Sequence, residues 1–162
     1  MKQKVKNEPL ISVITVCFNS QKTISRTIEA VLRQTYPSIE YLIIDGASKD
    51  NTISIAESYR NMFSEKGYIY RIISEPDDGL YFAMNKGIEL SEGDIIGIVN
   101  SDDWYEPDAV KIAANIYKNA PYDILMCSMN RWKGIKRTIK IPKIRKYKTS
   151  RDFCHPAMFV TK

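Results

Sequence analysis

Apolar and polar positions along the chain change period in a regular way. Ile11 to Phe18 is a short, β-branched and nearly unbroken apolar run, the pattern of a strand covered on both faces. Ile24, Ile28, Val31 and Leu32 then fall on one side of a helix that Ser20 is placed to cap and Pro37 to stop. Tyr41 to Ile44 predicts a second buried strand. Asp50 or Asn51 caps a helix carrying Ile53, Ala56, Tyr59 and Phe63, and Gly67 suits the left-handed turn that ends it. Tyr68 to Ile73 predicts a third strand, and Asp78 to Leu90 a helix on the stripe Leu80, Ala83, Met84 and Ile88, closed by Gly93. Ile95 to Val99 reads as the fourth strand. Pro107 fits the first turn of a helix bearing Val110, Ala113, Ala114 and Tyr117, and Ile124 to Met129 reads as a fifth strand. Beyond Trp132 the spacing of Ile135, Ile139 and Ile141 among Lys, Arg and Thr predicts an antiparallel or irregular, half-exposed sheet edge.

Strand and helix thus alternate with short connections, which predicts an α/β fold: a mainly parallel twisted sheet with helices on both faces, in one domain over 1–162. In such sheets ligands bind at the carboxyl ends of the strands. The segments to inspect are 17–20, 45–50, 75–79 and 100–105.

Composition adds little, since 44% apolar and 27% charged residues suit an ordinary globular domain. Cys17, Cys127 and Cys154 are odd in number, and each sits in or beside an apolar run. They read as reduced core thiols. The basic start, MKQKVKNEP, precedes too short an apolar run for a signal peptide, and nothing is long enough to span a bilayer, so the cytoplasm is expected. Charge is unevenly spread. Ten Lys and Arg and no acidic residue lie between Arg131 and Arg151, and the rest of the chain carries a net −5. Such a cluster suits a solvated loop or the anionic face of a membrane. Nucleic acid is not expected, because no binding motif accompanies the charge.

Polar residues gather in the four loops although each loop follows an apolar strand. Adjacent carboxylates in Asn100-Ser101-Asp102-Asp103 repel each other, and a divalent cation relieves that conflict. Mg²⁺ or Mn²⁺ takes oxygen ligands, typically one or two carboxylates with substrate phosphates. The plainer alternative is that one Asp caps the helix near Pro107. Asp45 either accepts a bond from a base N–H, with Gly46 letting a planar ligand approach, or makes an Asx-turn. Phe18 and Asn19 offer a ring and a polar contact, although Phe18 alone reads as core. Glu75-Pro76-Asp77-Asp78-Gly79 sits where backbone N–H groups suit a phosphate, or simply caps a helix.

These segments, with Ile11 to Asn19, Ile44 to Asp50 and Ala83-Met84-Asn85-Lys86-Gly87-Ile88, resemble family 2 glycosyltransferases of the Rossmann-like GT-A fold. They are most similar to the bacterial members that build surface polysaccharides. The resemblance implies transfer of a sugar from a nucleotide-diphosphate sugar, a UDP-sugar first among the donors, to a hydroxyl of a glycan or lipid-linked acceptor, with inversion. It implies donor contacts from Val16, Cys17, Phe18, Asn19, Asp45, Asp78, Gly79, Asn85, Ser101, Asp102 and Asp103. Asp45 and Phe18 would meet the base, Asp102 the ribose or sugar, and Asp103 would hold Mn²⁺ or Mg²⁺. The chain departs from the usual pattern at Val16-Cys17, Gly46 and Met84.

The resemblance also implies a general base beyond the metal motif, in an acceptor-side region that begins at 131–162. After Arg131 only Asp152 is acidic, and it lies upstream of where that base is expected, so the chain reads as truncated in its acceptor half and its catalytic base is not located. His155 is either a metal or diphosphate contact or a buried core residue. A binding module without turnover and a sugar nucleotidyltransferase are the alternatives. The latter would need a Gly-rich, Arg-bearing loop where Phe18-Asn19-Ser20-Gln21 stands. A dinucleotide dehydrogenase is disfavoured by the lack of any G-x-G-x-x-G. Location at the inner face of the membrane, through contact over 131–151, is a further expectation.

Overall fold

The computed structural model describes residues 8–141 and 157–162. In chain order the elements are β1 (Ile11–Cys17), α1 (Ile24–Leu32), β2 (Ile39–Asp45), α2 (Thr52–Ser58), α3 (Arg60–Glu65), β3 (Ile69–Ser74), α4 (Leu80–Leu90), β4 (Ile95–Ile98), α5 (Ala109–Asn119), β5 (Ile124–Met126), β6 (Met129–Lys133), β7 (Lys136–Lys140) and β8 (Met158–Thr161). Six strands form one sheet in the order β3-β2-β1-β4-β8-β5, and β6 and β7 form a separate hairpin. β3, β2, β1 and β4 are parallel, while β8 runs antiparallel between β4 and β5. The predicted parallel α/β sheet is therefore present, with antiparallel pairing confined to the late part.

Both faces are covered, which is why β1 and β2 are buried from end to end. On one face Ile24, Ile28 and Val31 of α1, Ala56 and Phe63, and Val110, Ala113 and Ala114 of α5 pack on Val13, Tyr41 and Ile43. On the other, Ala83 and Met84 of α4 pack on Ile14, Val16, Leu42 and Ile44. Helix α4 lies very close to the sheet, since a Cβ on Gly87 would stand 2.5 Å from Ile14 Cγ2.

Several boundaries differ from the sequence reading, each for a local reason. β2 begins two residues early because Glu40, fully buried, is neutralised where it lies: it accepts bonds from Ser12 Oγ, Glu92 N (2.8 Å) and Arg71 Nη1 (3.2 Å). The helix expected through Phe63 is broken at Tyr59, whose N–H reaches back only to Ala56 O. Gly67 does turn left-handed, with φ 73°, but Gly93 does not. Gly93 is needed for space, as a Cβ there would lie 2.6 Å from Ser12 N. The fifth strand splits, Ile124–Met126 staying in the sheet and Met129 opening the hairpin. That hairpin leaves Ile135, Ile139 and Ile141 exposed, more so than the half-exposed edge expected.

Candidate functional site

The loops after β1, β2, β3 and β4 meet at one end of the sheet and enclose a cleft of about 940 Å³. Two of the loops are pinned to each other. Each turns through a residue in the left-handed region, Asn19 with φ 50° and Ala47 with φ 60°. Asn19 N donates to Ser48 Oγ (2.7 Å), and Asn19 Oδ1 accepts from Lys49 N (2.9 Å). Ser20 N donates to Thr52 Oγ1 (2.7 Å) and Gln21 N to Asp50 Oδ2 (3.1 Å). Ser20, expected to cap α1 with its side chain, instead uses its carbonyl, which accepts from Ile24 N (3.0 Å). Its hydroxyl is left to meet Ser101 Oγ at 2.8 Å, joining the first loop to the fourth.

Phe18 is 61% exposed at the rim, so the reading of this ring as core is overturned. A strand ends one residue earlier, at Cys17, and the ring has passed the last layer of packing. Asp45 lies beneath the cleft, 1% exposed. Its carboxylate accepts from Ser48 N (2.8 Å), Ser74 Oγ (2.7 Å), Ser48 Oγ and, weakly, Cys17 Sγ (3.5 Å). The Asx-turn alternative accounts for these bonds, and the carboxylate steadies the floor. Gly46 does not open space for a ligand, because the Asp77 carboxylate fills it: a Cβ at Gly46 would stand 3.0 Å from Asp77 Oδ2. Asp77 Oδ1 also takes the Gly79 N–H (2.8 Å), so the amide at the amino end of α4 is already bonded.

Burial, reinforced by the neighbouring Asp45, pushes the Cys17 thiol well above its usual range. It should therefore stay protonated and resist iodoacetamide at pH 8, read by peptide mass mapping of the folded protein; ready alkylation would contradict this environment. Desolvation acts to raise Asp50, but bonds from Thr52 and Gln21 outweigh it and hold the carboxyl below the usual range. Asp50 is thus anionic at neutral pH.

The fourth loop carries the carboxylate pair. Asp102 is exposed and lines the cleft with Asn100 and Ser101. Asp103 is half-buried and faces a second, larger cavity of about 1310 Å³, which shares Asn100 and Asp102 with the first. Neither Asp caps the next helix, since α5 begins at Ala109 after Asp108 and the chain passes Pro107 before entering it. The capping alternative is overturned by that distance. Thr27 Oγ1 donates to Asp103 O (2.7 Å) and Arg26 Nη2 to Asp102 O (2.8 Å), so α1 fixes this loop from behind.

Of the sequence-predicted residues, Val16, Cys17, Phe18, Asn19, Gly79, Ser101 and Asp102 line the first cleft together. Asp45 lies under it and Asp103 on the second cavity's wall, while Asp78 and Asn85 are exposed outside the lining. The lining also includes Asp50, Asp77 and Leu80, which sequence reasoning assigned to caps and a helix stripe. Asp152, Cys154 and His155 lie outside the described residues.

Charge decides what the cleft can accept. Asp50, Asp77 and Asp102 line it, and Lys22 is the single basic side chain among its lining residues. A diphosphate there would meet net repulsion unless a cation came with it. The donors at hand are oxygens, the set that Mg²⁺ and Mn²⁺ prefer. Among the described residues no three His, Cys, Asp or Glu side chains converge. One or two carboxylates are what Mg²⁺ needs from protein when phosphates complete its shell, so the residues fit a metal that arrives with its ligand. Among the described residues no helix is long and apolar enough to cross a membrane.

Comparison with known proteins gives the family and the fold. The chain is 30% identical over 159 residues to a PGL/p-HBAD biosynthesis glycosyltransferase of Mycobacterium bovis, covering 93% of this chain and 59% of that one. It is 32% identical over 114 residues to chondroitin synthase of Escherichia coli, covering 70% of this chain and 16% of the other. The chain thus spans well under two thirds of either relative. Among solved structures, residues 1–349 of S. aureus TarS in complex with UDP match with a TM-score of 0.78 at 22% identity, over 94% of this chain and 46% of that one. A mannosyltransferase of Pyrobaculum calidifontis in complex with GDP-Man and Mn²⁺ matches with a TM-score of 0.67 at 21% identity, over 75% of this chain and 36% of that one. At such identity the two structures speak for the fold. Residues 12–159 match the model of glycosyl transferase family 2, nearly the whole chain, and the chain belongs to that family.

Proposed function

We propose that the protein binds a nucleoside diphosphate sugar in the first cleft with Mn²⁺ or Mg²⁺ and serves its transfer to an acceptor hydroxyl in glycan synthesis. The observation that carries this reading is the meeting of an exposed ring, Phe18, with three carboxylates and little positive charge at the carboxyl ends of parallel strands. The base stacks on Phe18 against the backbone of Val16 and Cys17, and Asn19 and Gly79 border it. Asp45 acts from below by holding the second loop in place. Asp78 and Asn85 meet the donor from the rim. Asp102, with Ser101, faces the ribose or sugar, and Asp103 holds the metal. When bound, that cation stabilises the charge that grows on the departing diphosphate. The acceptor hydroxyl attacks the anomeric carbon from the second cavity and gives its proton to the general base expected beyond the metal motif, the bond to the diphosphate breaks on the opposite side, and the configuration inverts. The nucleotides bound by the solved neighbours, UDP and GDP-Man, make UDP- and GDP-sugars the first to test.

The work is placed at the cytoplasmic side, with the basic hairpin β6–β7 meeting the membrane face. Arg131, Lys133, Lys136, Arg137 and Lys140 are exposed on it, and the remainder of the basic stretch, from 142 onward, lies outside the described residues.

The test is thermal unfolding with UDP, GDP and dTDP, each with and without Mn²⁺. At about 100 times Kd a ligand should stabilise the fold by roughly 2.7 kcal/mol. A melting temperature that no nucleoside diphosphate moves in either condition would overturn the proposal. Release of UDP or GDP from the matching sugar nucleotide then separates a transferase from a module that only binds.

A further inference from the structure

We infer that Arg26 is a positioning residue for the carboxylate loop, gripping the residues on either side of Asp103 with one guanidinium. This rests on the proposed role of Asp103 and adds to it the group that sets that side chain's aim. Arg26 projects from the first turns of α1 toward the loop that follows β4. Its Nη2 donates to the carbonyl of Asp102 at 2.8 Å. The same guanidinium lies over the indole of Trp104, 4.1 Å from the ring centroid. Thr27, the next residue, donates to the carbonyl of Asp103 itself. Positions 102, 103 and 104 are therefore held in succession from one helix turn.

The chemistry suits Arg and not a generic cation. A planar, delocalised guanidinium can lie flat on an aromatic face and still direct an N–H in its own plane at a carbonyl, whereas an ammonium is a compact, strongly hydrated charge. A divalent ion with few protein ligands is sensitive to where each one points, because supporting contacts outside the ligand shell typically change metal affinity by about 10- to 100-fold. Arg26 lines the second cavity and not the first cleft, where Asp50, Asp77 and Phe18 stand. The base platform should consequently be indifferent to it.

That separation gives the test. In a Trp132→Phe background, Trp104 is the only tryptophan, so its emission reports the stack directly. Arg26→Ala should raise acrylamide quenching of Trp104 and weaken Mn²⁺-dependent UDP binding by about tenfold, the size of losing one charge-assisted hydrogen bond. UDP binding without metal should stay within about twofold. Trp104→Leu should reproduce the loss and Trp104→Phe, which keeps an aromatic face, should recover most of it. Arg26 and Trp104 are both exposed, so all three variants should fold, and an unchanged melting temperature without ligand checks this. Equal weakening with and without Mn²⁺, or Mn²⁺-dependent binding as tight as the parent, overturns the positioning role alone. If the parent binds no nucleotide with Mn²⁺, the site reading fails first and the role of Arg26 falls with it.

Discussion

Asp103→Ala is expected to abolish the Mn²⁺-dependent part of nucleoside diphosphate binding and to leave the fold intact. The backbone at 103 is held without the side chain: its N–H donates to Asn100 O (3.0 Å), and its carbonyl accepts from Thr27 Oγ1 (2.7 Å). Alanine keeps both bonds, and the site is half-buried, so the stability change should stay below about 1 kcal/mol. Ligand binding responds differently. Asp50, Asp77 and Asp102 still repel the two phosphates, and the cation that offset them has lost its anchor. A loss of about 3 kcal/mol, roughly a hundredfold in Kd, is the scale of removing one partner of a desolvated charge pair. Isothermal titration of UDP with and without Mn²⁺ reads this directly. A variant whose affinity still rises with Mn²⁺ as in the parent would show that the metal is held elsewhere. Asp102→Ala serves as the comparison, because Asp102 borders both cavities where Asp103 borders the second alone.

That last contrast was not legible in the sequence. Two neighbouring aspartates after an apolar strand announce a site, but which cavity each one faces depends on Arg26 and Thr27, residues of a helix more than seventy positions earlier. The parallel strands and their order of helices were readable, because buried strands show as unbroken apolar runs. Glu40 hid the start of β2, since a single sequence does not show that Arg71, Ser12 and Glu92 wait to pair with it. Phe18 was readable as a ring but not as an exposed one, for exposure depends on where the strand runs past its packing partners. The sequence leaves Glu75 to Gly79 open between a phosphate site and a helix cap, and only the fold shows the Asp77 carboxylate filling the space beside Gly46. Polar loop residues carry both turn chemistry and ligand chemistry, and here the carboxylates of Asp45 and Asp77 accept bonds from the nearby Ser48 and Gly79 amides.

The segment at the end of the described chain is a sharper case, and it sets the second large expectation. The stretch 131–162, expected to begin the acceptor-side region, ends in Met158–Thr161, which enters the main sheet as β8, pairing Gly97 with Phe159 on one side and Leu125 with Phe159 on the other. Glycine at 97 makes this possible. A Cβ there would stand 2.7 Å from the Phe159 ring and 2.8 Å from the Tyr105 hydroxyl, so the space opposite β4 belongs to those two rings. They stack at 5.4 Å, and Phe159 is 1% exposed. Phe159→Ala should therefore cost about 3–5 kcal/mol, the range for truncating a buried phenylalanine. Gly97, directly opposite on β4, offers no side chain to refill the hole. The damage should also reach the site, since Tyr105 follows the carboxylate loop by two residues and rests on that ring. Urea unfolding should show the midpoint falling with an unchanged slope. Phe159→Leu, which restores most of the volume but not the stack, should recover more than half of the loss. An alanine variant within about 1 kcal/mol of the parent would mean that β8 is not part of the cooperative sheet. In that event the second cavity, whose wall Phe159 forms beside Ala157 and Leu125, would lose its support as an acceptor site.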